Sequence, residues 1–335
     1  MKDLYETGMP AANLLQHIRT PAMIVTRGQV TFANDAAKVL LGSHIVGQDV
    51  RIAIRNPDAV SVILGDAGGT TRVQGLSVGG SVWDLDCRVI SPTERLVTLY
   101  DQSVQVSVAR AHADFVANAS HELRTPLAAV LGYVETLTNP KAGGNEDTRN
   151  RFLATIRHEA QRMQALVEDL MSLSRIEAVK HEAPAGAVDM VALAREAVGE
   201  FARRDAGVTV TADTESAVIA GDRGQMAQVL RNLIDNAVKY GRPGGPVEVT
   251  LETTATGWLL VSVRDHGEGI SPEHLPRLTE RFYRADTSRS RAAGGTGLGL
   301  AIVKHIVERH RGRFDITSRA GDGTTVSMML PLRDR

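Results

Sequence analysis

Hydrophobic positions change their period twice along the chain. Up to about residue 105 they come in short alternating bursts. Ala22 to Thr26 and Gln29 to Phe32 predict a hairpin across Arg27-Gly28, followed by a short helix from Asn34 to Leu41, capped by Asn34 and stopped by Gly42. Thr70 to Val78, Ser81 to Ile90 and Glu94 to Tyr100 predict three further strands, divided by Gly79-Gly80 and Ser91-Pro92. From about 105 to 180 the period is helical. Val116, Leu123, Val130 and Leu137 recur every seven residues, and Leu127 and Val134 supply the second seam position. A second helix repeats the device with Ile156, Met163 and Leu170 in one column, and Phe152, Leu166 and Leu173 in another interrupted by Glu159. Asn139-Pro-Lys-Ala-Gly-Gly144 is the turn between them. Such a hairpin cannot cover its own seam, so two copies completing a four-helix bundle, a homodimer, are expected.

After a linker at His181 to Gly186, strands are expected at Gly207 to Thr211, Pro246 to Thr253, Gly257 to Arg264, Arg313 to Ser318 and Thr324 to Leu330. Helices are expected near Asp189 to Arg203, Arg223 to Tyr240 and Leu298 to His310. The whole reads as an α+β multidomain chain: an α/β module over 1–105, a helical hairpin over 106–180 and an α/β sandwich over 183–335.

Composition narrows the function classes. The 335 residues carry 38 Lys plus Arg against 39 Asp plus Glu, a net charge of −1, which gives no reason to expect direct nucleic-acid binding. One cysteine, Cys87, excludes an intramolecular disulfide framework and a cysteine-based zinc site, and points to a reducing compartment. With no signal peptide and no apolar run near the roughly 20 residues of a membrane span, a cytoplasmic location is expected.

Three stretches carry candidate chemistry. In Phe115 to Pro126, at about 100° per residue, His121 projects about 140° away from the Leu123/Leu127 seam and faces solvent as a candidate nucleophile. Glu122, placed on the outer surface beside it, could hold the imidazole proton, and the Thr125 hydroxyl could position a water. Pro126 removes the bond to the Glu122 carbonyl and predicts a bend. In Asn232 to Tyr240, two asparagines four apart share a helical face. Their amide oxygens could ligate a hard cation such as Mg²⁺, Lys239 could neutralise phosphate and Tyr240 could stack on a base.

The third stretch begins where a strand ends on Asp265, an acceptor for an exocyclic amine. Gly267 and Gly269 follow, letting backbone approach a flat ring. Gly294 to Leu300 then opens a helix as an anion cradle. It is not a P-loop, since no Gly-Lys-Ser/Thr follows. Arg281 to Arg284 and Thr287 to Gly294 form a basic, small-residue segment between them, a candidate lid.

In this order the motifs resemble the bacterial two-component sensor histidine kinases, from about residue 110 to the end, and the N-terminal meander with Phe32 to Ala37 resembles a PAS sensor domain. The arrangement is similar to the phosphate-regulon type. The resemblance implies that His121 is the phosphoacceptor, Glu122 its base and Thr125 a residue used in dephosphorylating the partner. It implies ATP and Mg²⁺ as cofactors, with Asn236 on the metal and Asn232, Lys239 and Tyr240 lining the nucleotide. Asp265, Gly267 and Gly269 match the first glycine box, Phe282 and Arg284 the F box, and Gly295, Gly297, Leu298 and Gly299 the second glycine box. His266 departs from the Asn common after the adenine-binding acid. The implied partner is a response regulator with a receiver domain, and the absent span implies cytoplasmic sensing or a borrowed membrane-protein partner. An ATP-driven clamp and a non-catalytic dimeric scaffold remain as rival readings of the same residues.

Overall fold

The computed structural model describes residues 11–76, 80–139, 145–179, 182–202, 207–285 and 295–333. The turn expected at 139–144, the end of the third expected strand, the candidate lid at 287–294 and Gly294 of the cradle thus lie wholly or mostly outside the described residues. Contacts divide the chain into two compact units, Met1–Val116 and Ala117–Arg335.

In the first unit, α1 (Ala11–Gln16) precedes the hairpin β1 (Ala22–Thr26) and β2 (Gln29–Ala33). Arg27 and Gly28 both take positive φ, 51° and 83°, as a two-residue hairpin turn with right-handed strand twist requires. Three helices follow, α2 (Asp35–Leu41), α3 (Val50–Ala53) and α4 (Pro57–Leu64). The strands β3 (Gly69–Gln74), β4 (Val82–Ser91) and β5 (Glu94–Asp101) complete an antiparallel sheet of order β2-β1-β5-β4-β3. Asn34 is fully buried and does more than cap α2. Its Oδ1 accepts from Ala37 N and Ala22 N, and its Nδ2 lies within bonding distance of the carbonyls of Leu15, Ile18 and Thr20, tying α1 to the sheet. Cys87 is buried in β4, and burial pushes its thiol up, so it behaves as an inert core residue.

Helix α5 (Ser103–Thr138) is assigned unbroken through Pro126, whose ring is buried, and α6 (Glu146–Ala178) returns antiparallel to it, with Tyr133 and Phe152 in ring contact at 5.1 Å. The first column holds from Leu123 on: Leu123, Val130 and Leu137 are half-buried, but Val116 at its head is exposed; on α6, Leu166 and Leu173 are buried. Leu127, Leu131, Val134, Leu153, Val167 and Met171 are exposed. Among the described residues no helix is long and apolar enough to cross a membrane.

Beyond the hairpin lie β6 (Ala187–Asp189), α7 (Met190–Ala202), β7 (Val208–Ala212), β8 (Val218–Ala220), α8 (Arg223–Tyr240), β9 (Val247–Thr253), β10 (Trp258–Asp265), α9 (Gly299–Arg309), β11 (Arg313–Arg319) and β12 (Gly323–Pro331). Five strands form a sheet of order β11-β12-β10-β9-β7, antiparallel except for β7 beside β9, and α7, α8 and α9 pack over it. The sequence pattern missed β6 and β8, which pair with each other; three residues are too few to show a period of two. Buried His310 links the ends of two helices: its Nε2 accepts from Asp222 N at 3.0 Å and its Nδ1 donates to the Ile306 carbonyl at 2.8 Å.

Candidate functional site

A cavity of about 420 Å³ opens between α8, the end of β10, the segment Leu278 to Ala285, and the glycine-rich start of α9. Its position follows from the amphipathicity of α8. Met226, Val229, Leu230, Leu233, Ile234 and Ala237 are buried at helical spacing, which turns Asn232, Asp235, Asn236 and Lys239 to the other side, where all four line the cavity. Lys239 does not stand alone: its Nζ pairs with Asp235 one turn earlier at 2.6 Å. Tyr240 joins the wall at the end of the helix.

Asp265 is 7% exposed and lines the cavity. Its Oδ1 accepts from Gly267 N at 2.8 Å and Thr324 N at 3.3 Å; burial pushes its carboxyl up, against the pull of these two donors. The glycines after it serve packing first. A Cβ on Gly267 would collide with the Tyr240 carbonyl, and one on Gly269, at φ +70°, with the Arg319 carbonyl. Gly269 lines the cavity and Gly267 lies behind it, so the close approach inferred for a ligand is, at Gly267, an approach of backbone to backbone. His266 Nε2 lies 3.5 Å from Glu248 on β9.

Gly295, Gly297 and Gly299 line the opposite wall, whereas Leu298 is fully buried beneath it. Phe282 also stands outside the wall and fixes the loop. Its N–H donates to the Gly297 carbonyl at 2.9 Å, its own φ is +64°, and a Cβ on Gly297 would come within 2.9 Å of the Phe282 backbone. Helix α9 starts without a side-chain cap, so its first N–H groups are the kind that accept an anion. The donors present fit a nucleotide and a hard cation. Asn232 Nδ2 donates to the Gly299 carbonyl at 3.4 Å, and the Asn236 amide lies beside it across the cavity from the glycine loop; side-chain amide oxygens suit Mg²⁺.

His121 is exposed on α5, as its angle to the seam predicts. Glu122 is not on the outer surface. It turns toward α6, where Arg162 donates to its Oε2 at 3.0 Å, and Arg284, itself part of the cavity wall, has Nη1 3.8 Å from the same oxygen. The seam argument placed Glu122 by angle alone and did not weigh the two arginines that draw it inward. Thr125 Oγ1 donates back to the His121 carbonyl at 3.4 Å. His121, Glu122 and Thr125 thus sit outside the cavity proper, joined to it through Glu122 and Arg284.

Residues that sequence reading passed over complete the wall. Ala165 and Asp169 of α6, Asp235, Glu268, Tyr283 and Thr296 all line it. Tyr283 hydroxyl lies 2.7 Å from His274 Nδ1, and the Arg277 guanidinium sits 4.1 Å over its ring. Asp169 lies on α6 outside both apolar columns, with no glycine or aromatic marker beside it, so nothing local distinguished it from a solvated acid. The hairpin also holds the α/β layer through Ser172 Oγ donating to Gln228 Oε1 at 2.9 Å, Arg309 Nε donating to the Val179 carbonyl at 3.2 Å, and an Arg281–Glu177 ion pair.

Comparison with known proteins gives this arrangement its relatives. The family model for the His Kinase A (phospho-acceptor) domain matches residues 111–179, and that for the histidine kinase-, DNA gyrase B-, and HSP90-like ATPase matches residues 221–334. The sensor-like histidine kinase SenX3 of Mycolicibacterium smegmatis is 31% identical over 98% of this chain and 88% of its own. The phosphate regulon sensor protein PhoR of Pseudomonas aeruginosa is 40% identical over 69% of this chain and 53% of its own. Among solved structures, histidine kinase ThkA in complex with response regulator protein TrrA aligns over 96% of this chain and 98% of its own, with a TM-score of 0.55 at 18% identity, a likeness of fold. A cavity built on α8 and the α9 glycines, a solvent-facing histidine on a helical hairpin, and these matches along nearly the whole chain place the protein in the family of two-component sensor histidine kinases.

Proposed function

We propose that the chain is an ATP-dependent protein-histidine kinase that phosphorylates its own His121 and passes the phosphoryl group to an aspartate on the receiver domain of a separate response regulator. The observation that carries this reading is the bridge of Glu122 to Arg284: the residue beside the exposed histidine is 3.8 Å from a cation in the cavity wall. Asp265 would take the adenine amine, Tyr240 would stack on the base, and the Gly295 to Gly299 backbone would hold the phosphates. A magnesium ion held by Asn236 would neutralise charge on the β- and γ-phosphates. Lys239 and Arg284 would steady the transferring group while an imidazole nitrogen of His121 attacks phosphorus, the bond to the bridging oxygen breaks, and ADP leaves. Glu122 would accept the imidazole proton after exchanging Arg284 for it.

In this reading residues 1–105 are a PAS-like sensor, 106–180 the dimerisation and phosphoacceptor hairpin, and 183–335 the catalytic domain. The exposed apolar face of the hairpin is the seam of a homodimer. A change in the sensor would bias α5, with Pro126 in it, between kinase and phosphatase forms, the latter using Thr125. The protein would work in the cytoplasm, alone or beside a membrane-protein partner.

Incubating the protein with γ-labelled ATP and Mg²⁺ separates the readings. Acid-labile, alkali-stable label on the protein supports the kinase. ATP hydrolysis without label favours a clamp, and neither favours a scaffold.

A further inference from the structure

Six charged side chains line the cavity among the described residues, and four are acids: Asp169, Asp235, Asp265 and Glu268 against Lys239 and Arg284. That balance is adverse for a ligand carrying several phosphate charges. Asp265 has a use in the adenine reading, and Asp235 is paired with Lys239 at 2.6 Å. Asp169 is different, because it comes from the hairpin rather than from the α/β layer. Its Oδ2 accepts from the hydroxyl of Thr296 at 2.7 Å, and Thr296 stands between Gly295 and Gly297 in the cradle. The same hydroxyl accepts from Leu298 N at 3.3 Å, so the carboxylate is linked to the start of α9 through one oxygen. Burial pushes the Asp169 carboxyl up on balance, against the Thr296 hydrogen bond first and the charge of Lys239 second. The cation expected to meet phosphate therefore faces two carboxylates of the chain itself.

We propose that Asp169 is a tethered competitor of the nucleotide's phosphates, holding the glycine cradle against the hairpin until Mg-ATP displaces it. This rests on the reading of the cavity as an ATP site. A carboxylate held on the hydroxyl of Thr296, beside the cradle, and phosphates arriving in that cradle repel one another, and a half-buried wall screens the repulsion poorly. Nucleotide binding and hairpin docking are then negatively coupled. By linkage, any signal that moves α6 away from Thr296 raises ATP affinity by the factor with which ATP loosens the docking.

The test is equilibrium binding of Mg-ATP and of adenosine to the full chain, as wild type, Asp169→Asn and Glu168→Gln. Asp169→Asn keeps the size and an acceptor for Thr296 while removing the charge. It is expected to tighten Mg-ATP by about fivefold or more while adenosine, which lacks phosphates, binds as in wild type. Glu168→Gln, the same charge change one residue away on an exposed position, is expected to shift Mg-ATP by less than about twofold. Unchanged or weaker ATP binding by Asp169→Asn overturns the proposal, as does an equal gain for adenosine, which would mean a wider cavity rather than relieved charge. Wild type that binds neither ATP nor adenosine removes the nucleotide reading itself, and this proposal with it.

Discussion

Six of the eighteen residues of α8 are buried, on one continuous face beneath α7, α9 and the sheet, whereas among the described side chains of the thirty-six in α5 only Pro126 is. Both helices are amphipathic. The difference is what each has to pack against. The α/β layer brings its own sheet, so Leu230, Leu233 and Ile302 reach 2% exposure or less. The hairpin brings one partner helix, and among its described residues burial is confined, Pro126 apart, to the end of α6 that meets the α/β layer: Leu166, Ser172, Leu173 and Ile176. A layer that covers its own apolar face thus adjoins a hairpin that leaves one exposed; in the proposed reading a second copy covers that face, and the site straddles the two regions, with its cavity in the first and His121 on the second.

Substitutions should separate the two regions. The largest effect is expected from Leu131→Glu, a charge placed on the exposed apolar stripe of α5. Sedimentation should show the dimer replaced by monomer, with the α/β layer still folded; a dimer that persists would break the contrast. Next, Leu230→Ala, fully buried in the α/β layer, should cost about 3 kcal/mol in urea unfolding, independent of protein concentration. Gly297→Ala should cost about 1–2 kcal/mol, because φ is +72° and its Cβ would press on Phe282. The cost would fall on the cradle, so nucleotide affinity should drop along with it. The smallest effect is a pH dependence. Burial lowers His310 below its ordinary 6.5, so its contribution to stability is complete above that pH and is lost as pH falls through the folded value. Wild type should therefore lose more urea resistance between pH 8 and pH 5 than His310→Asn does.

Much of this was legible before any coordinates. The long periods of α5, α6 and α8 marked their buried faces, and α8 runs over Arg223–Tyr240 as its pattern predicts. The solvent-facing His121 followed from angle alone, and the cavity gathers Asn232, Asn236, Asp265 and the α9 glycines from segments far apart in sequence. What stayed hidden was decided by tertiary pairing. Three-residue β6 and β8 have no pattern of their own. Glu122 is drawn from the surface by Arg162, forty residues on, and Asp169 enters the cavity wall because Thr296 meets it across 127 residues. Gly267 and Gly269 were expected to let backbone approach a ligand's flat ring, whereas there and at Gly297 the close neighbour is the protein's own backbone.

The central claim is that the cavity delivers a phosphoryl group to one histidine. After incubation with γ-labelled Mg-ATP, mapping the acid-labile label in wild type, His121→Ala and His158→Ala tests it most directly, since His158 is the other exposed histidine among the described side chains of the hairpin. Label on His121 in wild type, retained in His158→Ala and absent from His121→Ala, is the predicted result. Label that survives in His121→Ala would contradict the account.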